Sequence, residues 1–121
     1  MQRAEVDRFP VGESASGSVG AQYAAGPAWV VEARGDMDLH GIEPLATALT
    51  HAAETHSLVV LDASGVSFGD SAFLNLLLRV QQSTTLRLAA LPAQLRRMLQ
   101  ISGADAVLNI HPTVADATAA G

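Results

Sequence analysis

Leu58-Val59-Val60-Leu61-Asp62-Ala63-Ser64-Gly65-Val66-Ser67-Phe68-Gly69-Asp70-Ser71-Ala72-Phe73-Leu74 is the stretch on which the fold turns. It opens on four consecutive apolar residues, Leu58 to Leu61, as in a strand buried on both faces. The run from Asp62 to Asp70 is small and polar and reads as a loop with two apolar plugs, Val66 and Phe68. From Ser71 the period becomes helical, with Leu74, Leu77, Leu78 and Gln81 along one face. A buried strand that feeds a helix through a short connection is the unit of an α/β sheet.

The flanking sequence repeats that unit. Upstream, Ser18 to Ala24 and Trp29 to Arg34 read as two strands, and Gly26-Pro27 between them marks the turn of an antiparallel hairpin. Gly35-Asp36-Met37-Asp38 reads as a loop, and Pro44 suits the first turn of a helix with Leu45, Ala48, Leu49, Ala52 and Ala53 on one face. Downstream, Thr85 to Ala89 is a short strand. A third helix starts at Pro92, buries Leu95, Met98, Leu99 and Ile101, and stops at Ser102-Gly103, where glycine supplies a left-handed cap. Ala106 to Ile110 reads as a last strand and Thr113 to Ala120 as a weak closing helix. The expected fold is α/β: a mixed sheet with about four helices, an N-terminal hairpin and then alternating helix and strand. Residues 1–16 have no period and read as a flexible lead-in, which leaves 17–121 as the domain.

Composition removes several function classes. At 121 residues, 49% of them apolar, the chain fits one domain with a real core. It has no cysteine, which excludes a disulfide scaffold, a thiolate zinc site and a cysteine nucleophile. The net charge of -5 speaks against a nucleic-acid partner, which usually meets a basic patch. No apolar run reaches the roughly 18 residues of a membrane span. Met1 to Glu5 carries acid and no apolar core of a signal peptide, so a cytoplasmic protein is expected.

The chain is also poor in catalytic motifs. His40, His51, His56 and His111 lack the spacing of a helical metal pair. There is no lysine, hence no Walker-type phosphate loop, and no Gly-x-Ser-x-Gly elbow. Asp36 and Asp38 read as carboxylates that point opposite ways in an extended loop, and Arg96-Arg97 as a solvated helix face. One constellation stands apart, Phe68-Gly69-Asp70-Ser71-Ala72-Phe73-Leu74. Asp70 and Ser71 at a helix start are common N-caps. The same helix start offers free amides and a partial positive charge, so a serine there can carry a phosphate. Phosphate adds about -1.5 to -2 charges, enough to switch a protein interface.

These residues resemble the STAS domain family, the anti-sigma factor antagonists. The resemblance rests on Gly35-Asp36-Met37-Asp38 after a strand, on Leu58 to Asp62 followed by Phe68 and Asp70-Ser71, and on Leu99-Gln100-Ile101-Ser102-Gly103. An Ala-rich helix from Val114 to Ala120 closes the pattern, which covers residues 18–120.

The resemblance implies a regulatory binding module, not an enzyme. It implies that Ser71 is phosphorylated by an anti-sigma factor that is itself a serine kinase of GHKL type, and is reset by a PP2C-type phosphatase. It implies that Asp38 supports phosphorylation or partner contact, that Asp70 caps the helix and presents Ser71, and that Ala72 and Phe73 belong to the partner-binding face, with a Phe73 ring turned into the core as the equal alternative. Ala72 and Phe73 stand where the family usually has a second hydroxyl and a glycine. ATP and Mg²⁺ belong to the partner, and no cofactor is assigned to this chain. The alternative is a non-catalytic assembly subunit, in a lipid-transport ATPase complex or a stress-signalling scaffold, with Ser71 a plain helix cap.

Overall fold

A computed structural model describes residues 16–119. Its elements are β1 (Ser18–Ala25), β2 (Ala28–Met37), α1 (Glu43–Thr55), β3 (Leu58–Gly69) and α2 (Ser71–Gln81), then β4 (Thr85–Ala89), α3 (Ala93–Ser102), a single 3-10 turn (Ala104–Ala106), β5 (Asn109–His111) and α4 (Val114–Ala119). Among the described residues the strands form one sheet in the order β1-β2-β3-β4-β5. The hairpin β1–β2 is antiparallel and the other pairs are parallel. The expected architecture is therefore the observed one.

Strands that neighbour one another in chain order, joined by right-handed crossovers, place the connecting helices on one face of the sheet. The main core accordingly joins Leu45 and Leu49 of α1, Phe73, Leu76, Leu77 and Val80 of α2, and Leu95 and Leu99 of α3 to Val31, Val59, Leu61, Leu86 and Leu88 of the sheet. The opposite face is covered in part by α4, where Ala117 and Val114 meet Ala28, Val30, Val60 and Ala89. This two-sided cover explains the unbroken apolar run at Val59-Val60-Leu61, all fully buried. Helix α3 ends on Gly103 at φ 80°, a left-handed cap that any β-carbon would strain.

Several expectations are corrected. Of the supposed loop Asp62–Asp70, Asp62 to Gly69 are the last eight residues of a 12-residue strand and Asp70 is the cap of α2, and the supposed loop Gly35–Asp38 belongs to β2 as far as Met37. These segments pair with each other from Glu32–Asp62 to Met37–Gly69, across two register shifts. Long-range pairing overrides the loop-like Ser and Gly composition. Of the two plugs, Val66 is buried but Phe68 is 48% exposed. Helix α2 buries Phe73, Leu76, Leu77 and Val80, while Leu74 and Leu78 are only half-buried. The apolar run is long enough to offer two stripes, and packing selects the one through Phe73. Ile101 is 80% exposed, since it lies two residues beyond Leu99 and so on the far side of the helix. The last strand is shorter than expected because the 3-10 turn takes Ala104–Ala106. The expectation for residues 1–16 falls, Ser16 apart, outside the described residues, as does Ala120 of the closing helix. No helix of the described residues is long and apolar enough to cross a membrane.

Candidate functional site

The site is built where the parallel strands end. β2 and β3 finish on the paired residues Met37 and Gly69, and α2 starts at Ser71. Sites of parallel sheets gather at this end because the variable connections leave from it.

Asp70 is extended at φ -122° and ψ -161°, and its Oδ1 accepts the Ala72 amide at 2.8 Å. Its carbonyl accepts the Leu74 amide at 3.1 Å, which starts the helical ladder. Asp70 thus satisfies one orphan amide and sets a negative charge at the positive end of α2. Asp70→Ala is expected to lower stability by about 1 kcal/mol, read as a shifted urea midpoint at an unchanged slope. An unshifted midpoint would mean that the carboxylate is not the cap.

Ser71, the first helical residue, is exposed, and its hydroxyl has no hydrogen-bond partner among the described residues. Ala72 is half-buried. Phe73 is fully buried and belongs to the main core, so its ring offers no surface to a partner. Of the two alternatives open for Phe73, a partner-facing ring and a core ring, the ring lies in the core. The ring occupies the space beside Gly69, where an added β-carbon would lie 2.7 Å from its Cδ2.

Asp38 lies one residue beyond β2 and is half-buried. Its Oδ1 accepts the His40 amide at 3.0 Å and the Gly41 amide at 2.7 Å. It shapes the loop that leaves β2, and no hydrogen bond among the described residues joins it to Asp70 or Ser71. Asp36 behaves differently: its Oδ1 accepts the Ser67 hydroxyl at 2.8 Å, across the β2–β3 boundary. Residues two apart in an extended chain share a face. What separates Asp36 from Asp38 is the strand end at Met37, not the opposite pointing expected above.

Three side chains of this end were not legible as site residues: Ser67, Gln94 and exposed Leu39. Gln94 Nε2 donates to the Ser67 carbonyl at 2.8 Å, from α3 to β3. Leu39 is 72% exposed and, with Phe68, gives the site two apolar side chains in solvent. Packing of α3 against the end of β3 brings Gln94 to Ser67, and no spacing in the chain announces it. The end is anionic, with Asp36, Asp38 and Asp70 all half-buried. The cation nearest in sequence to Asp36, Arg34, is paired with Glu32 at 3.1 Å. The described residues contain no cluster of three or more side chains able to hold a metal. A groove of about 360 Å³ between α1 and α2, lined by Thr50, Glu54, Arg79 and Ser83 among others, includes none of the site residues.

Residues 21–110 match the family model described as Mlab, STAS domain. No curated protein matches the sequence. Solved structures share the fold. An anti-sigma factor antagonist from Mycobacterium paratuberculosis superposes with a TM-score of 0.76 at 24% identity, covering 84% of this chain and 91% of that one. An anti-sigma-factor antagonist (STAS) domain protein from Planctomyces limnophilus gives 0.74 at 19% identity, covering 84% and 95%. The Bacillus cell fate determinant SpoIIAA in its phosphorylated form gives 0.59 at 17% identity, covering 78% and 92%.

Proposed function

The chain belongs to the STAS domain family, and from that membership we propose that it is an anti-sigma factor antagonist switched at Ser71. Unphosphorylated, it binds an anti-sigma factor that is also a serine kinase of GHKL type. Phosphate on Ser71 ends the binding, and a PP2C-type phosphatase restores it. The observation that carries this reading is the Ser71 hydroxyl, exposed and unbonded among the described residues, on the first turn of a helix whose cap is already supplied by Asp70.

The chemistry follows from that placement. A hydroxyl without a partner loses no internal bond on modification. A phosphate of about -1.5 to -2 charges at the start of α2 is welcomed by the helix and leaves the fold intact. The same charge joins Asp36, Asp38 and Asp70 at one end of the sheet and repels or desolvates an anionic partner surface such as a nucleotide-bound kinase site. Asp70 presents the serine, and Asp38 shapes the loop beside it. The kinase supplies ATP, Mg²⁺ and the catalytic groups, while this chain supplies the hydroxyl. Ala72 leaves Ser71 as the one acceptor in the Asp70-Ser71-Ala72 step. Both the switch and its partners belong to the cytoplasm in this reading.

A second reading, a non-catalytic assembly subunit such as that of a lipid-transport ATPase complex, is favoured by Ala72 and buried Phe73. These stand where switched members usually carry a second hydroxyl and a glycine. One experiment separates the two: intact and peptide mass spectrometry on protein purified from its own host, beside Ser71→Ala. A phosphate on the Ser71 peptide, absent from the variant, is expected. No phosphate under any growth condition would transfer the chain to the second reading.

A further inference from the structure

The tip of β3 is supported unequally. β4 pairs with β3 only from Leu58 to Asp62, and its last residue, Ala89, is opposite Asp62. The next residue, Ala90, takes φ 58°, a conformation rare for a side-chain-bearing residue, as the chain leaves β4. Residues Ala63 to Gly69 of β3 therefore lack a strand neighbour on that side. Strand tips with one neighbour fray unless side chains hold them.

Ser67 is where the holding occurs. It is the residue that the register shift between Val66 and Phe68 leaves without a β2 partner, and its carbonyl accepts the Gln94 side-chain amide of α3 at 2.8 Å. Its hydroxyl donates to Asp36 at 2.8 Å, a bond to a charged acceptor and so stronger than a neutral one. Asp36 is itself tied in, paired with Phe68 in the β2–β3 ladder and bridged by Ser16. Three elements, β2, β3 and α3, thus converge on one residue four positions before Ser71.

We infer that Asp36, Ser67 and Gln94 form a clamp that sets the pose of the Ser71 turn, and that they are positioning residues for its phosphorylation. This inference rests on the reading of Ser71 as the acceptor. The clamp acts on Ser71 through the backbone between them, not as the acceptor itself. It holds Phe68, Gly69 and Asp70 so that the first turn of α2 presents its hydroxyl in one arrangement, which a kinase site requires for transfer.

The test uses the full chain and the variants Ser67→Ala, Gln94→Ala and Ser67→Thr. Two quantities are read: amide hydrogen exchange over residues 67–73, and the fraction of Ser71 phosphorylated in the host. Loss of either bond is expected to speed exchange over 67–73 by about tenfold, with little change in the strands β2 and β4. Phosphate occupancy should fall with it, and Ser67→Thr, which keeps the hydroxyl, should restore both. Unchanged exchange in Ser67→Ala and Gln94→Ala would overturn the clamp. Faster exchange with wild-type occupancy would overturn the positioning role. Wild-type protein that never carries phosphate is a separate outcome: it overturns the Ser71 reading and the positioning role with it, while the exchange data still decide whether the clamp exists.

Discussion

Ser71→Glu is expected to weaken binding to the partner kinase by about thirtyfold or more, roughly 2 kcal/mol, with the fold unchanged. Both halves of that expectation come from one position. Ser71 is exposed, so a longer side chain meets no core. It opens the first turn of α2, where a carboxylate is mildly stabilising, by a few tenths to about 1 kcal/mol. The thermal midpoint should therefore hold or rise slightly. Binding should fall because a fixed negative charge enters a surface that already holds Asp36, Asp38 and Asp70 and must be desolvated against the partner. Ser71→Ala, which adds no charge, should bind as the wild type does. Calorimetry with the kinase compares the three proteins. Equal affinity of the glutamate and alanine variants would end the charge-switch mechanism.

Phe73→Ala is expected to lower stability by about 3–5 kcal/mol, the range for removing a buried aromatic ring. Phe73 is fully buried at the junction of α2, β3 and α3, and its ring fills the space that Gly69 leaves open. The thermal midpoint should drop by about 12 °C or more. Gly69 is the other half of the fit. A β-carbon there would approach Phe73 Cδ2 at 2.7 Å and Leu95 Cδ2 at 3.1 Å. Gly69→Ala should therefore destabilise by about 1–3 kcal/mol in the presence of Phe73. In a Phe73→Leu background that penalty should shrink, since contacting residues couple. A double-mutant cycle by denaturant unfolding measures the coupling, and a strictly additive result would show that the two positions do not share one space.

The Phe73–Gly69 fit also bears on partner choice. An aromatic in place of a small residue so near Ser71 reads, in one dimension, equally as a change in the docking surface or as a core ring. In three dimensions the ring turns inward, and the aromatic that reaches solvent is Phe68. Val66 and Phe68, two apart, would share a face in a regular strand, but the register shift that leaves Ser67 unpaired between them turns one in and the other out. At the end of β3, with a register shift nearby, the chain alone does not say which of Val66 and Phe68 is inside.

Much of the fold was legible, and for identifiable reasons. Gly26-Pro27 marks the hairpin, Pro44 and Asp70 mark helix starts, and Gly103 marks a helix stop; each acts within a few residues and needs no distant partner. Val59-Val60-Leu61 announced a strand covered on both sides, because no half-exposed strand keeps three such residues together. The helix start at Asp70-Ser71 could be read for the same reason: capping is local chemistry. Less legible were the face of α2, the reach of β2 and β3, and the clamp. Leu74 and Leu78 offered as good a stripe as Phe73 and Leu76, and only the volume beside Gly69 distinguishes them.

By itself, then, the sequence determined the order of strands and helices and the helix start at Asp70-Ser71. These depend on propensity, periodicity and hydrogen bonds that close over three or four residues. Only the tertiary structure decided that Asp36 rather than Asp38 bonds to β3, that Gln94 of α3 reaches the Ser67 carbonyl, and that Phe73 lies in the core. Those outcomes depend on register and on volume between elements 27 and 31 residues apart in the chain, as the Gln94–Ser67 and Ser67–Asp36 bonds are. Packing assigns such contacts after the elements have formed, and no local pattern encodes them.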